Sequence, residues 1–329
     1  MTRAVTLADI HAARERIANK VVRTPTVLSH SLSGRFGVPV HLKLEHRQTT
    51  GSFKLRGASN AVASLSAEEK ARGVVASSTG NHGRALALAA KLEGMHAVIC
   101  MSRLVPRNKL DEIRRLGADV RIVGNSQDEA QQEVERLVAQ EGLVMLPPFD
   151  HPAIIAGQGT LGLEIIEQVP DAALVLAQLS GGGLASGIAA AVKGVSPDTK
   201  VIGVSMARGA AMKASLDAGR PVEVEELPTL ADSLGGGIGL DNRLTFAMCR
   251  DLLDDVVLLS EDEIAAGIRH AYEQEREIVE GAGAVGIAAL LAGKVRVNGP
   301  VVVLLSGRNI DMNTHRKIIC SDAIAEPTA

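Results

Sequence analysis

The run of residues 52–58, SFKLRGA, places Lys54 directly after the aromatic ring of Phe53, at the start of a predicted helix. A lysine amine forms a Schiff base with an aldehyde cofactor, and pyridoxal phosphate (PLP) acts as an electron sink only when it is held in that way. A single lysine at a helix start is more often a solvated charge. Whether Lys54 does chemistry therefore depends on the residues that the fold places around it.

Residues 77–83, SSTGNHG, follow a predicted strand and open a predicted helix. Serine, threonine and asparagine side chains at a helix N-terminus, together with the free backbone N–H groups there, form a pocket for a carboxylate or a phosphate. The same residue types also cap helices that bind no ligand, and a single histidine such as His82 is more often packed than catalytic. The segment is a candidate anion site.

A glycine-rich run, residues 180–187 (SGGGLASG), directly follows the predicted strand 173–179. Successive glycines allow backbone N–H groups to converge on a phosphate, and the following helix adds its dipole. The run lacks the dinucleotide-binding fingerprint, because Ser186 stands where its last glycine belongs, and the chain has no GxxxxGK[ST] loop. The pattern favours a monophosphate cradle, with a turn that only packs strand against helix as the alternative.

Two further segments are weaker candidates. Residues 306–309, SGRN, follow the aliphatic strand 301–305, and open α/β sheets bind their ligands at the carboxyl ends of strands. The glycine run 235–239 is predicted to be a flexible or tightly packed loop rather than a ligand contact, and residues 222–228 an exposed acidic loop.

The elements that position these segments are predicted to alternate between short aliphatic strands and longer helices. The predicted strands are residues 38–44, 73–77, 97–101, 120–123, 143–146, 173–179, 201–205, 256–260 and 300–305. The predicted helices include residues 81–93, 108–116, 127–140, 159–168 and 261–280. Such alternation is typical of parallel sheets in an α/β protein. The length of 329 residues suggests about two domains, and because no linker separates them we expect one to be inserted in the other, with a return crossing at residues 146–150.

The composition describes a globular protein with an aliphatic core, since 46% of the residues are hydrophobic and only 2% are aromatic. A net charge of −3 argues against nucleic acid or an anionic membrane as the partner. The three cysteines, Cys100, Cys249 and Cys320, form neither a disulfide framework nor a CxxC metal site. No apolar signal segment opens the chain and no apolar stretch approaches the roughly 18 residues of a membrane span, so a cytoplasmic location is expected.

Taken in order, the segments SFKLRGA, SSTGNHG, SGGGL and SGRN resemble those of the fold-type II PLP-dependent enzymes, in particular the serine/threonine dehydratases and serine racemases. The resemblance extends from residue 22 to residue 309. It implies a tryptophan synthase β-like fold of two doubly wound α/β domains. The large PLP-binding domain would comprise residues 1–50 and 149–329, with a smaller substrate-binding domain, residues 51–148, inserted in it. The resemblance also implies a homodimer that acts on a small amino-acid substrate.

The same resemblance assigns roles to individual residues. Lys54 would be the Schiff-base lysine and, once free, the base that takes the Cα proton. The cofactor-binding residues would be Phe53, Lys54, Asn81, Ser180, Gly181, Gly182, Gly183, Leu184 and Ser306. Among them, Asn81 would meet the phenolic oxygen of PLP, the glycine run its phosphate, and Ser306 its pyridine nitrogen. The substrate-binding residues would be Ser78, Thr79, Asn81, His82 and Arg308, with the first four around the substrate carboxylate.

The hydroxyl of Ser306 indicates which reaction the cofactor would support. Because it is neutral, it does not keep the pyridine nitrogen protonated as a carboxylate would. The ring is then a weaker electron sink, which favours prompt β-elimination over a long-lived carbanion. The cofactor phosphate is the expected donor of a proton to the departing hydroxide.

Departures from the family pattern refine the prediction. Thr79, a catalytic candidate, stands where serine racemases have a serine; it keeps a hydroxyl, but its β-branched side chain makes racemisation less expected. Ser205 stands where racemase-like members have a glutamate metal ligand, so we expect no metal site. Arg308 replaces a glycine beside Ser306, where its guanidinium would either bind a second anionic group on a substrate or pair with an acid and face solvent.

The predicted activity is the PLP-dependent β-elimination, a dehydration and deamination, of a β-hydroxy-α-amino acid. Residues 78–87, 101–109 and 146–151 look most like the hydroxyectoine-utilisation dehydratases of hydroxyectoine catabolism, which implies a hydroxylated diaminobutyrate as the substrate. The alternatives are a threo-3-hydroxyaspartate dehydratase, an L-threonine or L-serine dehydratase, and a non-catalytic protein that binds PLP or an amino acid.

Overall fold

The structure, a computed structural model, describes residues 4–78, 80–103 and 107–320. Two sheets lie within these ranges. The strands of the larger sheet are β1 (Thr26–Leu28), β2 (Val40–Lys43), β7 (Leu174–Gln178), β8 (Lys200–Met206), β9 (Asp255–Leu259) and β10 (Val301–Leu304). Those of the smaller sheet are β3 (Val74–Ser77), β4 (Ala97–Met101), β5 (Asp119–Ile122) and β6 (Val144–Met145). The strand orders are β1-β2-β10-β7-β8-β9 and β5-β4-β3-β6, and every pair is parallel except β1 with β2.

Helices connect the strands. Before and within the smaller sheet they are α1 (Leu7–Ile17), α2 (His30–Phe36), α3 (Lys54–Ala63), α4 (Ala67–Arg72), α5 (Asn81–Leu92), α6 (Arg107–Arg115) and α7 (Gln127–Glu141). The later ones are α8 (Pro152–Gln168), α9 (Gly183–Val195), α10 (Ala211–Ala218), α11 (Thr245–Leu252), α12 (Glu261–Glu273), α13 (Gly281–Leu291) and α14 (Met312–Cys320).

Both faces of each sheet are covered. In β10, Val301 and Val303 belong to one hydrophobic cluster, and Val302 and Leu304 belong to another on the opposite face. Strand β3 alternates between two clusters in the same way. Because successive side chains of a strand point to opposite faces, both sheets are sandwiched between helical layers. The aliphatic composition predicts helices packed on parallel strands, and the resemblance implies the doubly wound arrangement that is observed here.

Helix α8 packs closely against both α3 and α9 through glycines. A Cβ on Gly157 of α8 would lie 2.6 Å from the backbone oxygen of Arg56 in α3, and one on Gly159 would lie 2.9 Å from the backbone oxygen of Gly187 in α9. Only residues without a side chain allow the helices to approach so closely. Helix α8 therefore fixes the position of α3, which begins at Lys54, relative to α9, which begins in the glycine-rich run.

A buried cluster of four charged residues anchors α3. The guanidinium of Arg56 donates to both carboxylate oxygens of Glu45, at 2.7 and 3.0 Å, and to Glu164 of α8 at 2.7 and 3.1 Å. Lys43 of β2 also donates to Glu164, at 2.6 Å from the Oε2 atom that accepts one of the Arg56 hydrogen bonds. Two cations and two carboxylates balance, and bidentate Arg–carboxylate pairing gives the cluster a fixed geometry. The first turn of α3 is thereby tied to both β2 and α8.

The structure confirms the predicted fold class and each predicted strand, but it differs in three elements. Strand β1 escapes prediction because three residues are too few to show a pattern. Helix α8 begins at Pro152 rather than at residue 159, since glycines that resemble helix breaks serve close packing instead. The predicted helix 261–280 ends at Glu273, because Arg276 has a φ of 60°, which no helix can continue through.

The larger sheet is built from residues 26–43 and 174–304 and the smaller from residues 74–145, which is the pattern expected for an inserted domain. The division into residues 1–50 with 149–329 and residues 51–148 stays a prediction. None of the helices in the described ranges is both long and apolar enough to cross a membrane.

Candidate active site

A cavity of about 620 Å³ lies at the carboxyl ends of β3, β7 and β10. Its lining includes residues 77, 78 and 80–82 after β3, residues 180–184 after β7, Ser306 and Asn309 after β10, and Phe53 and Lys54 at the start of α3. The structure thus brings together all four segments that the sequence analysis selected. Their meeting point is the end of a parallel sheet at which ligands bind.

Lys54 is the first residue of α3, and its amine faces the cavity. The Nζ atom donates to the backbone oxygen of Pro148 across 2.8 Å and lies 5.2 Å from the ring centroid of Phe53. Burial lowers the pKa of the Lys54 amine to about 8, although the carboxylate of Glu280 opposes the shift. At pH 7 about one Lys54 in ten is then a neutral amine, against roughly one in 2,500 for an ordinary lysine. A neutral amine is the form that attacks an aldehyde.

The glycine-rich run forms the opposite part of the lining. Gly182 has a φ of 87° and precedes α9, and Gly181 and Gly183 pack against Phe149, whose ring or backbone a Cβ at either position would meet. In the described part of the chain, no acceptor lies within hydrogen-bond reach of the N–H groups of residues 181–184. Free N–H groups at a helix N-terminus suit a phosphate.

Ser306 lies buried between these two parts. Its backbone oxygen accepts a hydrogen bond from the N–H of Phe53 at 3.0 Å, and its side chain lines the cavity. The end of β10 is therefore joined directly to the segment that carries Lys54. Ser306 and Lys54 thus line the same cavity, and the role of the Ser306 hydroxyl at the pyridine nitrogen stays a prediction.

Asn81, the first residue of α5, also lines the cavity. Its side-chain Nδ2 donates to Oε1 of Glu280 at 2.7 Å, and its Oδ1 accepts from Nδ2 of Asn309 at 2.6 Å. Glu280 is buried, and burial together with nearby Asp232 raises the pKa of its carboxyl to about 7. The sequence analysis gave neither Glu280 nor the Asn309 side chain a role. An acid directly before the glycine-rich start of α13 is the signal that would have pointed to Glu280.

Ser78 and His82 are the other predicted substrate-binding residues of residues 77–83 that the structure describes. Ser78 lines the cavity, and its Oγ accepts from the N–H of Gly83 at 3.1 Å, which caps α5. His82 also lines the cavity, and its Nε2 lies 2.9 Å from the backbone oxygen of Leu146. Burial lowers the pKa of His82 to about 4, so the ring is neutral near pH 7. Thr79 lies outside the described residues.

Arg308 is not brought to the cavity. Its side chain is exposed, and its backbone N–H donates to the oxygen of Gly51 at 2.9 Å. Burial lowers the pKa of His46, whose Nε2 lies 2.7 Å from a carboxylate oxygen of Glu277, and the charge of Arg308 adds to that shift. Ser306 and Asn309 line the cavity, whereas Arg308, which lies between them in the sequence, does not.

An acidic wall, defined as Glu226 and Asp232, closes another side of the cavity. It belongs to the segment between α10 and α11, and Gly235 and Gly236 of that segment also line the cavity. The prediction that the 235–239 glycine run is a loop rather than a ligand contact stays a prediction, although these two of its residues lie at the cavity surface. Residues 225–228 are exposed as predicted, but the segment reaches the cavity mouth, because the chain folds back over the carboxyl edge of the sheet.

Within the described ranges, no cluster of three or more histidine, cysteine, aspartate or glutamate side chains is arranged to hold a metal ion. Ser205 is buried in β8, and its Oγ lies 3.3 Å from the sulfur of Met206.

The polar groups of the cavity fit the functional groups of PLP. An aldehyde needs a neutral amine, which Lys54 provides. A phosphate needs several N–H donors, which the start of α9 provides. The ring oxygen and the ring nitrogen need polar partners, and the side chains of Asn81 and Ser306 belong to residues of the same cavity lining.

Comparison with known proteins agrees with this geometry. The family described as "Pyridoxal-phosphate dependent enzyme" matches residues 17–307. A Sinorhizobium fredii protein, provisionally named a threonine dehydratase, is 66% identical over 316 residues, covering 96% of this chain and 95% of that protein. The L-threonine ammonia-lyase of Thermotoga maritima is 45% identical over 316 residues, covering 96% of this chain and 78% of that protein. Among solved structures, maize serine racemase matches with a TM-score of 0.91 at 33% identity, covering 96% of this chain and 97% of that one.

Proposed function

Because the chain belongs to the family of pyridoxal-phosphate dependent enzymes, we propose that it dehydrates and deaminates a β-hydroxy-α-amino acid, with L-threonine as the first substrate to test. It is a PLP-dependent lyase, like the threonine ammonia-lyases to which it is similar. One observation carries the proposal: the amine of Lys54 shares its cavity with a phosphate cradle and with the neutral hydroxyl of Ser306.

Bound PLP supplies an electron sink for the bond that breaks at the substrate Cα. Lys54 would hold the cofactor and then, as a neutral amine, accept the Cα proton. Its pKa of about 8 suits both tasks, since a base works best when its pKa lies near the working pH. The N–H groups of residues 181–184 would hold the phosphate, and Asn81 would donate to the ring oxygen. A hydroxyl from Thr79 on the other side of the substrate stays a prediction.

The overall reaction balances without an external oxidant or reductant. The Cα–H and Cβ–O bonds break, so that one water leaves and an enamine forms. The enamine tautomerises to an imine, which takes up one water and releases ammonia. The products are a 2-oxo acid and ammonia. Ser306 favours this outcome because a neutral partner at the ring nitrogen disfavours a long-lived carbanion.

A second candidate substrate is a hydroxylated diaminobutyrate, as in hydroxyectoine catabolism. The acidic wall of Glu226 and Asp232 supports it, since a carboxylate is the natural partner of a second substrate amine. The same wall disfavours threo-3-hydroxyaspartate, whose distal carboxylate needs a cation. Arg308, the cation predicted for that purpose, is exposed and does not line the cavity.

The test is a steady-state assay of 2-oxo acid and ammonia release from L-threonine, L-serine, threo-3-hydroxyaspartate and 3-hydroxy-2,4-diaminobutyrate. Turnover of threonine or serine supports the first candidate. A kcat/KM that is at least about tenfold higher for the diamino acid supports the second, because one charge-assisted hydrogen bond to the distal amine should contribute about that factor. If the PLP-loaded protein turns over none of the four, the proposal is wrong, and a non-catalytic binding protein becomes the better interpretation.

Glu226→Gln separates the two substrates, because it removes one of the two charges of the wall and keeps the size of the side chain. It should weaken kcat/KM for the diamino acid and leave threonine nearly unchanged. Glu223→Gln is the matched control, since Glu223 is exposed on the same segment and does not line the cavity.

The predicted homodimer and cytoplasmic location stay predictions. Light scattering at micromolar concentration tests whether the protein is a dimer.

A further inference from the structure

Four side chains at the edge of the cavity form one continuous line of hydrogen bonds. The guanidinium of Arg84 donates to Oδ1 of Asn309 at 2.7 Å, and Nδ2 of Asn309 donates to Oδ1 of Asn81 at 2.6 Å. Nδ2 of Asn81 then donates to Oε1 of Glu280 at 2.7 Å. Arg84 and Asn81 belong to α5, which follows β3 of the smaller sheet. Asn309 follows β10 of the larger sheet, and Glu280 directly precedes α13.

The arginine end of the line fixes its direction. An arginine side chain has only donors, so the atom that it contacts must be an acceptor. Oδ1 of Asn309 must therefore face Arg84, which leaves its two N–H groups for Asn81 and for the backbone oxygen of Thr50 at 3.0 Å. Oδ1 of Asn81 must in turn face Asn309, and its Nδ2 must face Glu280. Neither amide can rotate by 180° without setting donor against donor or acceptor against acceptor.

This orientation leaves Asn81 with one donor to spare. An amide nitrogen carries two N–H groups, and Glu280 takes one of them. Within the part of the chain that the structure describes, the other has no protein acceptor, and Asn81 lines the cavity. The phosphate of PLP is assigned to the start of α9, so the oxygen left for Asn81 is the one on the pyridine ring.

We propose that Glu280 and Asn309 are positioning residues that hold the Asn81 amide with one N–H directed at the ring oxygen of PLP. The inference rests on the proposed use of PLP but not on the identity of the substrate. Glu280 is itself fixed, because its Oε2 accepts the backbone N–H of Asn309 at 3.0 Å and its own N–H donates to Gly307 at 3.1 Å. Gly307 leaves room for this carboxylate, since a Cβ there would lie 2.8 Å from the Glu280 Cδ atom.

Two substitutions test the inference while keeping side-chain size. Glu280→Gln leaves a single side-chain oxygen where two oxygens accepted from the Asn81 amide and the Asn309 N–H, so that the Asn81 amide loses its fixed partner. Asn309→Asp places a carboxylate oxygen against Oδ1 of Asn81 and forces the amide to turn over. Asn313→Asp is the matched control, because Asn313 is exposed on α14 and distant from the cavity lining.

The readouts are the Kd of PLP for cofactor-free protein, the position of the visible band of the bound cofactor, and the unfolding midpoint of the cofactor-free protein. A positioning role predicts a Kd raised about tenfold, the effect of one lost hydrogen bond, and a displaced band for both variants. Asn313→Asp should match the parent protein in the Kd of PLP and in the position of the band. If either folded variant keeps the parent Kd and the parent band, the inference is overturned.

A purely structural role gives a different pattern, namely a lower unfolding midpoint with an unchanged band, and that result also overturns the inference. If Glu280→Gln does not fold, Asn309→Asp alone decides between the two patterns. Failure of the proposed function would be visible separately, as a parent protein that binds PLP with its normal band and turns over no amino acid.

Discussion

The Nζ atom of Lys54 donates a hydrogen bond to the backbone oxygen of Pro148 across 2.8 Å. The partner is a neutral carbonyl and not a carboxylate, so the amine can lose its proton without leaving an unpaired anion beside it. Burial has already lowered its pKa to about 8. The arrangement holds the lysine in place and keeps it reactive.

Lys54→Ala should abolish covalent attachment of PLP, because no other amine lines the cavity among the described residues. The visible band expected near ~410 nm for lysine-linked PLP should disappear, and turnover should fall by at least about a thousandfold. Lys54→Arg, which keeps the positive charge but cannot form the link, should behave in the same way. Survival of the band in either variant would contradict the assignment.

The attachment of PLP to cofactor-free protein should depend on pH through Lys54. Because only the neutral amine attacks the aldehyde, the rate should rise as pH passes through about 8 and level off above it. An ordinary lysine, with a pKa of about 10.4, would still be gaining rate well above pH 9. Stopped-flow absorbance between pH 6 and 10 measures the midpoint.

The carboxylate of Glu280 raises the pKa of Lys54, so Glu280→Gln should move that midpoint to lower pH. Glu273→Gln, an exposed change on α12, should leave it in place. An unmoved midpoint in Glu280→Gln would show that the two groups are not coupled.

Gly181→Ala should weaken PLP binding, because the added Cβ runs into the ring of Phe149 and displaces the glycine run. Overpacking of this kind costs about 1–3 kcal/mol, which is measurable as a raised Kd for PLP and a lower free energy of unfolding. Gly34→Ala is the control, since a Cβ there meets no atom within 4 Å. The double variant Gly181→Ala with Phe149→Leu should recover part of the loss.

Arg56→Met should destabilise the protein by about 3–5 kcal/mol, since it leaves the carboxylate of Glu45 buried without a cation and leaves Glu164 with Lys43 alone. Urea denaturation measures the change. Arg115→Met, which removes an exposed pair with Glu112, should cost about 1 kcal/mol or less. Equal losses in the two variants would mean that the buried cluster contributes no more than a surface pair.

The sequence predicts those parts of the fold and site that depend on local patterns. Aliphatic runs identify the strands, and the glycine-rich run identifies the start of α9, because both signals lie within a few consecutive residues. Lys54, Ser306 and the glycine run were found because each belongs to a short segment whose residue types have a known chemistry. The structure places all three at one cavity.

The parts that escaped prediction depend on contacts between distant segments. Glu280 reaches Asn81 across a separation of 199 residues, and nothing beside Glu280 in sequence signals that partner. The acidic wall lies in a segment without periodicity, so only folding shows that it faces the cavity. Arg308 shows the opposite case, since a position two residues after Ser306 does not bring its exposed side chain to the cavity lining.

Pro148 and Phe149, which are consecutive residues, contact the two ends of the proposed cofactor site. The carbonyl of Pro148 holds the amine of Lys54, and the ring of Phe149 lies against Gly181. These two residues therefore help to fix the distance between the amine that would bind the aldehyde and the N–H groups that would bind the phosphate. An insertion of one residue at this point would change that distance while leaving every side chain of the site intact. In related sequences, a larger residue at position 181 should occur only together with a smaller residue at position 149.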